Sequence, residues 1–327
     1  MPRTLIVLPD DSPRSILRAV ESASRTLRVK MFVFTDPRLL KAVVAAARRG
    51  VAVRVMLNAA RRSGRQDNEA TRAALRRAGV TVKDANPAFA LTHEKSMVVD
   101  DAAALVGSLN WTHKNLAVTR DYAVMTTHRR EVAEIVDCFE ADWHRKTFEP
   151  PARSHLVWCP GPGRERICEF IDDAKHQLHV QNERYQDPVI IERLVRAARR
   201  GVKVHIMARP PHTLKREKLV EGVGGLRILD DLGVKVHRLK HLKLHGKAMV
   251  ADGVAAIVGS INFAAGSLDN RRELAIDVRD DRLVDRLHRV VRHDWEHSHA
   301  LDLSDEGLLA DLEDRVDDGA ELLGLDA

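Results

Sequence analysis

Two stretches, LTHEKSMVVDD (91–101) and KLHGKAMVADG (243–253), hold the residues best suited to chemistry in this chain. Each sets a histidine two residues before a lysine and an aspartate five residues after that lysine. Each then runs on to Gly-Ser-x-Asn, as GSLN at 107–110 and GSIN at 259–262, and the two copies lie 152 residues apart. On a strand, positions i and i+2 leave the same face, so His93 is expected beside Lys95 and His245 beside Lys247. A returning strand brings Asn110 and Asn262 back to the same place. Two imidazoles can divide the roles of nucleophile and general acid–base between them. Lysine ammonium and asparagine amide groups can stabilise an oxyanion without a metal.

The elements that position these groups are themselves repeated. AVVAAARRGVAVRVM (42–56) matches ERLVRAARRGVKVHIM (192–207), and TDP (35–37) matches QDP (186–188), at an offset of 151; the histidine patterns and the Asp-Trp pairs (142–143, 294–295) match at 152. Collinear matches of this length mark an internal duplication. Each half alternates strands and helices. SRTLRVKMFVF ends in a strand, PRLLKAVVAAARRG is an amphipathic helix closed by Gly50, VAVRVML is a strand, and NEATRAALRRAG is a helix closed by Gly79. KSMVVD and AAALVGS read as a hairpin, DYAVMTT as a further strand, and a long helix runs through Trp143. Strands apolar on all faces imply sheets covered on both sides. The expected fold class is therefore α/β, with two duplicated αβα sandwich halves packed sheet to sheet about a pseudo-two-fold. The boundaries fall at 1–150, 151–302 and an acidic tail at 303–327, with Pro150 and Pro151 punctuating the joint.

Composition narrows the setting. The 327 residues are 44% hydrophobic and 31% charged, ordinary for a globular chain. Cys138, Cys159 and Cys168 are odd in number and show no paired spacing, so no disulfide framework is expected. The N-terminal apolar run is too short for a signal peptide, and no run reaches the ~20 residues of a membrane span. A cytoplasmic location is the expectation. The net charge of +6 hides an asymmetry: residues 303–327 hold nine acidic residues against one arginine, which leaves +14 on the rest. A basic body suits anionic partners such as a phosphodiester, a nucleic acid or an anionic membrane met peripherally. No cofactor, no metal and no obligatory oligomer are expected. His293 and His297 have metal-ligand spacing on a helix, but no carboxylate or cysteine set accompanies them.

The six specified positions resemble the signature of the phospholipase D superfamily, H-x-K-x4-D-x6-G-S-x-N, and both copies match it without a gap. These are His93, Lys95, Asp100, Gly107, Ser108 and Asn110, then His245, Lys247, Asp252, Gly259, Ser260 and Asn262. The resemblance spans about residues 5 to 298. It implies a phospholipase D-like fold and a phosphodiesterase that works through a phosphohistidine. It also implies a carboxylate some eleven residues after each motif Asn, which Asp121 and Glu273 supply as partners for the histidines. Copy two has the family's Asn-Arg segment before Glu273, whereas copy one has Val118-Thr119-Arg120 before Asp121.

By this resemblance the N-terminal His93 is the nucleophile, although the sequence pattern leaves His245 open for that role. Lys95, Lys247, Asn110 and Asn262 bind phosphate. Ser108 and Ser260 assist at the substrate or shape the turn, and Trp111 and Phe263 wall the pocket or join the core. Asp100 and Asp252 hold the hairpin turn by side-chain hydrogen bonds. Phe89 is a loop aromatic near the site that could meet lipid chains or a base. The favoured substrate is a phospholipid, cleaved or transferred to an alcohol. A metal-independent nuclease is the alternative. A catalytically idle binding module for an anionic ligand is a third reading, against which two intact motifs speak. Leu308, Leu312 and Val316 form an apolar stripe on the acidic tail, suited to docking on the basic body.

Overall fold

A computed structural model of the chain describes residues 2–60, 64, 66–210 and 216–308. The first half runs β1 (Arg3–Leu8), α1 (Arg14–Glu21), β2 (Thr26–Met31), α2 (Pro37–Arg48), β3 (Ala52–Leu57), α3 (Glu69–Arg77), β4 (Thr81–Asp84), β5 (Leu91–Thr92), β6 (Ser96–Val99), β7 (Ala103–Gly107), α4 (His113–Ala117), β8 (Thr119–Thr126) and α5 (Arg129–Trp143). The second runs β9 (Leu156–Cys159), α6 (Gly163–Asp173), β10 (Gln177–Gln181), α7 (Pro188–Arg199), β11 (Lys203–Met207), α8 (Arg216–Asp231), β12 (Lys235–Leu239), β13 (Lys243–Leu244), β14 (Lys247–Ala251), β15 (Ala255–Gly259), α9 (Ala265–Asp269), β16 (Arg271–Val278), α10 (Asp281–Glu296) and β17 (Ser298–Ala300). The duplicated α/β architecture read from the sequence is the one observed. Of the expected tail stripe only Leu308, packed against the second half's core, lies among the described residues.

One sheet has the order β1-β8-β7-β6-β2-β3-β4, and the other β17-β12-β11-β10-β14-β15-β16-β5. The Val- and Ala-rich central strands are buried along nearly their whole length, as expected for sheets covered on both faces. The outer faces carry helices: α1 and α2 cover one sheet with Ile16, Val20, Leu39 and Val43, and α6 and α7 cover the other with Ile167, Ile171, Ile190 and Leu194. The inner faces meet in a shared core in which Val98, Val106 and Val124 of one half join Val250, Val258 and Ile276 of the other, together with α5 and α10.

Two devices recur at equivalent places. Asp36 and Asp187 cap α2 and α7, accepting from the backbone N–H of Leu39 (3.2 Å) and Ile190 (3.1 Å), with proline at the first helical position each time. Asp100 and Asp252 sit at φ 53° in the hairpin turns, and their carboxylates reach across the sheet. Asp100 accepts from the N–H groups of Ser24, Arg25 and Thr26, and Asp252 from those of Lys175, His176 and Gln177. The expected structural role is thus observed, but the bonds tie the turn to the entry of β2 or β10 rather than closing the turn on itself. Glycine at 259 is required by close approach: a Cβ there would lie 2.3 Å from the Ala275 Cα.

The halves differ in the layer under α5 and α10. In the first, Arg28 and Arg54 bracket Glu140, at 2.9 and 2.8 Å. In the second, imidazoles replace this network. His179, His205 and His237 project from three neighbouring strands, the rings of His205 and His237 stack on Trp295 at 4.4 and 3.9 Å, and His288 of α10 lies 5.6 Å from His179. Burial holds all four imidazoles below their ordinary value, His179 down to about 3, and mutual repulsion or nearby Lys203, Lys235, Arg292 and His299 push the same way. Only Asp285 opposes this, at His288.

Replacing Asp100 by Ala leaves three backbone donors without their acceptor and puts a Cβ-bearing residue at positive φ without local hydrogen bonding. A loss of about 1–3 kcal/mol is expected in denaturant unfolding, as is the equivalent loss for Asp252→Ala. The histidine row predicts an acid-labile second half. Its folded pKa values are depressed, so its stabilisation is complete above about pH 6.5 and is lost as pH falls from there through the folded values. Hydrogen exchange corrected for intrinsic rate should show protection falling in β10–β12 between pH 7.5 and 5 while β2–β4 hold. Equal loss in both sets of strands would contradict this.

Candidate active site

The short strands β5 and β13 build the site, because each leaves its own half. β5 pairs in parallel with the start of β16 (Leu91 with Arg271, Thr92 with Arg272), and β13 pairs in parallel with the start of β8 (Lys243 with Thr119, Leu244 with Arg120). The exchange continues through the motif histidines. His93 N–H donates to Arg272 O at 2.9 Å, and His245 N–H to Arg120 O at 3.2 Å. One residue further on β16 is Glu273, and one residue further on β8 is Asp121. The register therefore sets each histidine against the other half's carboxylate. His93 Nδ1 is 2.9 Å from Glu273 Oε2, and His245 Nδ1 is 2.7 Å from Asp121 Oδ1. His93, Glu94 and Lys95 lie in a three-residue break between β5 and β6, rather than within one strand as the i, i+2 argument assumed. Lys95 and Lys247 fold back onto the carbonyls of His93 and His245.

The two dyads sit in different fields. Burial and the positive charges of Lys95, Lys247 and Arg271 hold His93 well below its ordinary value, and burial raises Glu273 above its own against the pull of Lys95. Both shifts favour the neutral form of His93, and an Nδ1–H facing the Glu273 carboxylate would leave the Nε2 lone pair open. Burial would also raise Asp121, but His245, Lys247 and Ser108 bring it below its ordinary value. Its carboxylate accepts from Ser108 Oγ (2.6 Å), Thr119 Oγ1 (2.5 Å) and Asn115 Nδ2 (3.0 Å) besides facing His245. Burial also drives Lys95 well below its usual value. Asn110 Oδ1 and Asn262 Oδ1 are buried with no hydrogen-bond partner among the described residues.

Beneath each dyad lies a second bridge between the halves. Arg272 donates to Asp142 at 3.1 and 3.2 Å, and Arg120 to Asp294 at 3.0 and 2.8 Å. Under His93 the layer is completed by Lys30, fully buried between Glu94 (2.9 Å) and Asp142 (2.8 Å). Glu94, Cys138 and Asp142 cluster closely enough to hold a cation by distance alone, but Lys30 and Arg272 already balance their charge. Under His245 the counterpart is neutral: Gln181 donates to Asp294 at 3.0 Å and accepts from the Tyr122 hydroxyl at 2.7 Å. Gly246 stands where the first copy has Glu94, since a Cβ there would meet the Tyr122 ring at 2.7 Å.

Four expected contacts need correction. Trp111 and Phe263 are not pocket walls. They are buried in the cores, edge-on to Phe34 and Tyr185, and their carbonyls accept from the backbone at the start of α2 and α7. The apolar area of an indole or phenyl ring is better hidden there than at a wet cleft. Ser108 and Ser260 are fully buried and point inward, Ser108 to Asp121 and Ser260 to the Leu274 carbonyl at 3.2 Å, the turn-shaping arrangement. Phe89 lies against the Arg272 guanidinium at 4.2 Å. The His293 and His297 rings lie tilted against each other at one end of α10, 4.1 Å apart, with His297 Nδ1 2.9 Å from the His293 carbonyl.

Two site residues escaped the sequence reading. Phe32 and Glu183 follow the carboxyl ends of β2 and β10 and are equivalent under the 151-residue offset. The Phe32 ring packs edge-on to His93 at 4.8 Å and lies 5.1 Å from Lys95 Nζ. Glu183 Oε2 is 2.5 Å from Lys247 Nζ and 3.9 Å from His245 Nε2, and its Oε1 accepts from Arg209 at 3.0 Å. The departure of one repeat from the other at this position was the available signal.

Comparison with known proteins also finds the duplication. A family model described as cardiolipin synthase, PLD-like domain, matches residues 16–143 and again 167–295. The chain belongs to the phospholipase D superfamily. Human mitochondrial cardiolipin hydrolase is 32% identical over 155 residues, covering 46% of this chain and 60% of that protein. Cardiolipin synthase A of Edwardsiella ictaluri is 24% identical over 324 residues, covering 85% of this chain and 65% of that protein. The chain thus spans less than two thirds of the length of these relatives. In structure, phosphatidylserine synthase of Haemophilus influenzae superposes with a TM-score of 0.74 at 10% identity, over 92% of this chain and 87% of that one, which establishes the shared fold.

The site predicts an unusual titration. Nitrogen NMR of the histidines should show His93 still neutral, with the proton on Nδ1, as pH falls through about 6.5. A midpoint at or above that value would contradict the field described for this dyad.

Proposed function

We propose that the protein is a phospholipase D-type phosphodiesterase acting on phospholipids, moving a phosphatidyl group to water or an alcohol through a phosphohistidine on His93. The observation that carries this reading is the crossed pair of dyads, His93 with Glu273 and His245 with Asp121. The neutral His93 presents an Nε2 lone pair to phosphorus, and as the N–P bond forms the alkoxide leaves with a proton from His245. Glu273 then faces a cationic, phosphorylated ring, as the third member of a triad does. His245 next takes the proton of the incoming water or alcohol, whose oxygen displaces His93 from phosphorus. Asp121, held ionised, supports His245 in its charged form. Lys95, Lys247, Asn110 and Asn262 bind the non-bridging oxygens, and a phosphate anion beside Lys95 favours its charged form against the burial that disfavours it.

The lipid substrate is supported by the relatives, named for cardiolipin and phosphatidylserine chemistry. The basic body suits peripheral contact with an anionic bilayer, and no described helix is long and apolar enough to cross a membrane.

The test uses phosphatidylglycerol or cardiolipin vesicles with ethanol and a chelator, and separately single- and double-stranded DNA. Phosphatidylethanol should form, and His93→Ala and His245→Ala should each lower the rate by at least about 10³-fold. Glu273→Gln and Asp121→Asn should each cost about 10²–10⁴-fold. DNA cleavage without lipid turnover would replace this reading by a nuclease, and lipid turnover surviving in both histidine variants would sink the mechanism.

A further inference from the structure

We infer that Glu183 binds the acceptor alcohol and selects a neutral vicinal diol, such as a glycerol group, over simple alcohols and over cationic amino alcohols. The inference rests on the reaction proposed above and adds a residue that the duplicated motif does not contain. Its starting point is a break in the pseudo-symmetry. The position after the first-half strand β2 holds Phe32, an apolar ring against His93. The same position after β10 holds Glu183, a carboxylate beside His245.

In a displacement at phosphorus the nucleophile and the leaving or entering oxygen lie on opposite sides. With His93 as nucleophile, the alcohol enters on the side of His245, where Glu183 stands. A carboxylate so close to Lys247 repels the non-bridging oxygens of a phosphodiester, so it is poorly placed as a phosphate ligand. It is well placed as an acceptor for hydroxyl groups. Glu183 Oε2 and His245 Nε2 are 3.9 Å apart, a separation that two neighbouring hydroxyl oxygens can span at ordinary hydrogen-bond lengths of about 2.8 Å. The reacting hydroxyl gives its proton to His245 Nε2 while its oxygen bonds to phosphorus and the His93 N–P bond breaks. The adjacent hydroxyl donates to Glu183.

Charge decides between a diol and an amine. Glu183 already pairs with Lys247 and Arg209, so its negative charge is matched by two cations. An ammonium or quaternary amine brought here would face both of them, whereas a neutral hydroxyl only needs the remaining lone pairs. On the opposite side Phe32 offers apolar surface, fit for the diacylglycerol end held on His93.

The experiment offers deuterium-labelled glycerol, propan-1-ol and ethanolamine at equal concentration to the full chain with phosphatidylglycerol vesicles, and counts each phosphatidyl product, the label separating newly formed phosphatidylglycerol from the donor. The wild-type protein should favour glycerol over propan-1-ol by about tenfold, the effect of one charge-assisted hydrogen bond, and should use ethanolamine poorly. Glu183→Ala should bring the glycerol-to-propanol ratio close to one, and Glu183→Asp should retain part of the preference. Should the alanine variant fail to fold, Glu183→Gln keeps the shape without the charge and should lower the ratio in the same direction. An unchanged ratio in the folded variants overturns the role of Glu183 alone. Absence of any phosphatidyl product from the wild-type protein overturns the underlying reaction, and this inference with it.

Discussion

The constraint on which the site depends is a pair of two-residue parallel strand contacts that cross between the halves. β5 on β16 and β13 on β8 are too short to hold much energy by themselves. Their weight is in the register they impose. Backbone hydrogen bonds from His93 to Arg272 and from His245 to Arg120 leave Glu273 and Asp121 as the next residues along, so each imidazole meets a carboxylate it could not find in its own half. A slip of one residue would turn the carboxylate to the other face of its strand. The buried pairs Arg272–Asp142 and Arg120–Asp294 resist that slip, since breaking one strands a charge in the core. The same arginines whose carbonyls receive the histidine N–H groups thus carry the guanidinium ends that lock the halves together.

On this symmetric frame the protein has built an unsymmetric pair. Under His93, Lys30 with Glu94, Asp142 and Arg272 makes a fully ionic layer, and Phe32 covers the ring from above. Under His245 the layer is Tyr122, Gln181 and Asp294, and Glu183 faces the ring. Tyr122 fills the space that requires glycine at 246, and the first copy, with Glu94 at that position, faces Leu274 as the repeat's counterpart of Tyr122 in sequence. These exchanges are mutually dependent, because a buried acid without its lysine, or a tyrosine against a Cβ, would be costly. The result is one imidazole kept neutral by burial and nearby cations, and one surrounded by carboxylates.

Much of this was legible in the residues. The duplication, the alternation of strands and helices and the paired sheets follow from periodicity and spacing and appear where expected, whereas His93 and Lys95 lie in a break between strands rather than on one. Asp121 and Glu273 could be nominated by distance along the chain. Their crossed pairing could not, because sequence separation carries no information about which half a two-residue strand joins. Trp111 and Phe263 were ambiguous for a similar reason: an aromatic next to a motif Asn looks the same whether it turns to the cleft or into the core. Phe32 and Glu183 were legible in principle. They occupy one aligned position, and the change from phenyl to carboxylate there is the sharpest chemical difference between the repeats near the site.

The duplicated frame also explains why that difference can be so local. A single half supplies one imidazole and the carboxylate for the other, so neither half contains a complete dyad, and both must be kept in register for either to exist. Symmetry therefore has to be retained in the backbone, in the exchanged strands, in the Gly-Ser-x-Asn returns and in the Arg–Asp bridges. Nucleophilic attack and proton transfer, by contrast, make opposite demands on two chemically identical rings. Side chains that touch the rings without joining the exchanged strands are the places where the halves can diverge without disturbing the register. Phe32 and Glu183, just beyond β2 and β10, are such places, and beneath the rings the first copy pairs Glu94 with Lys30 where the second matches Gly246 to the Tyr122 ring.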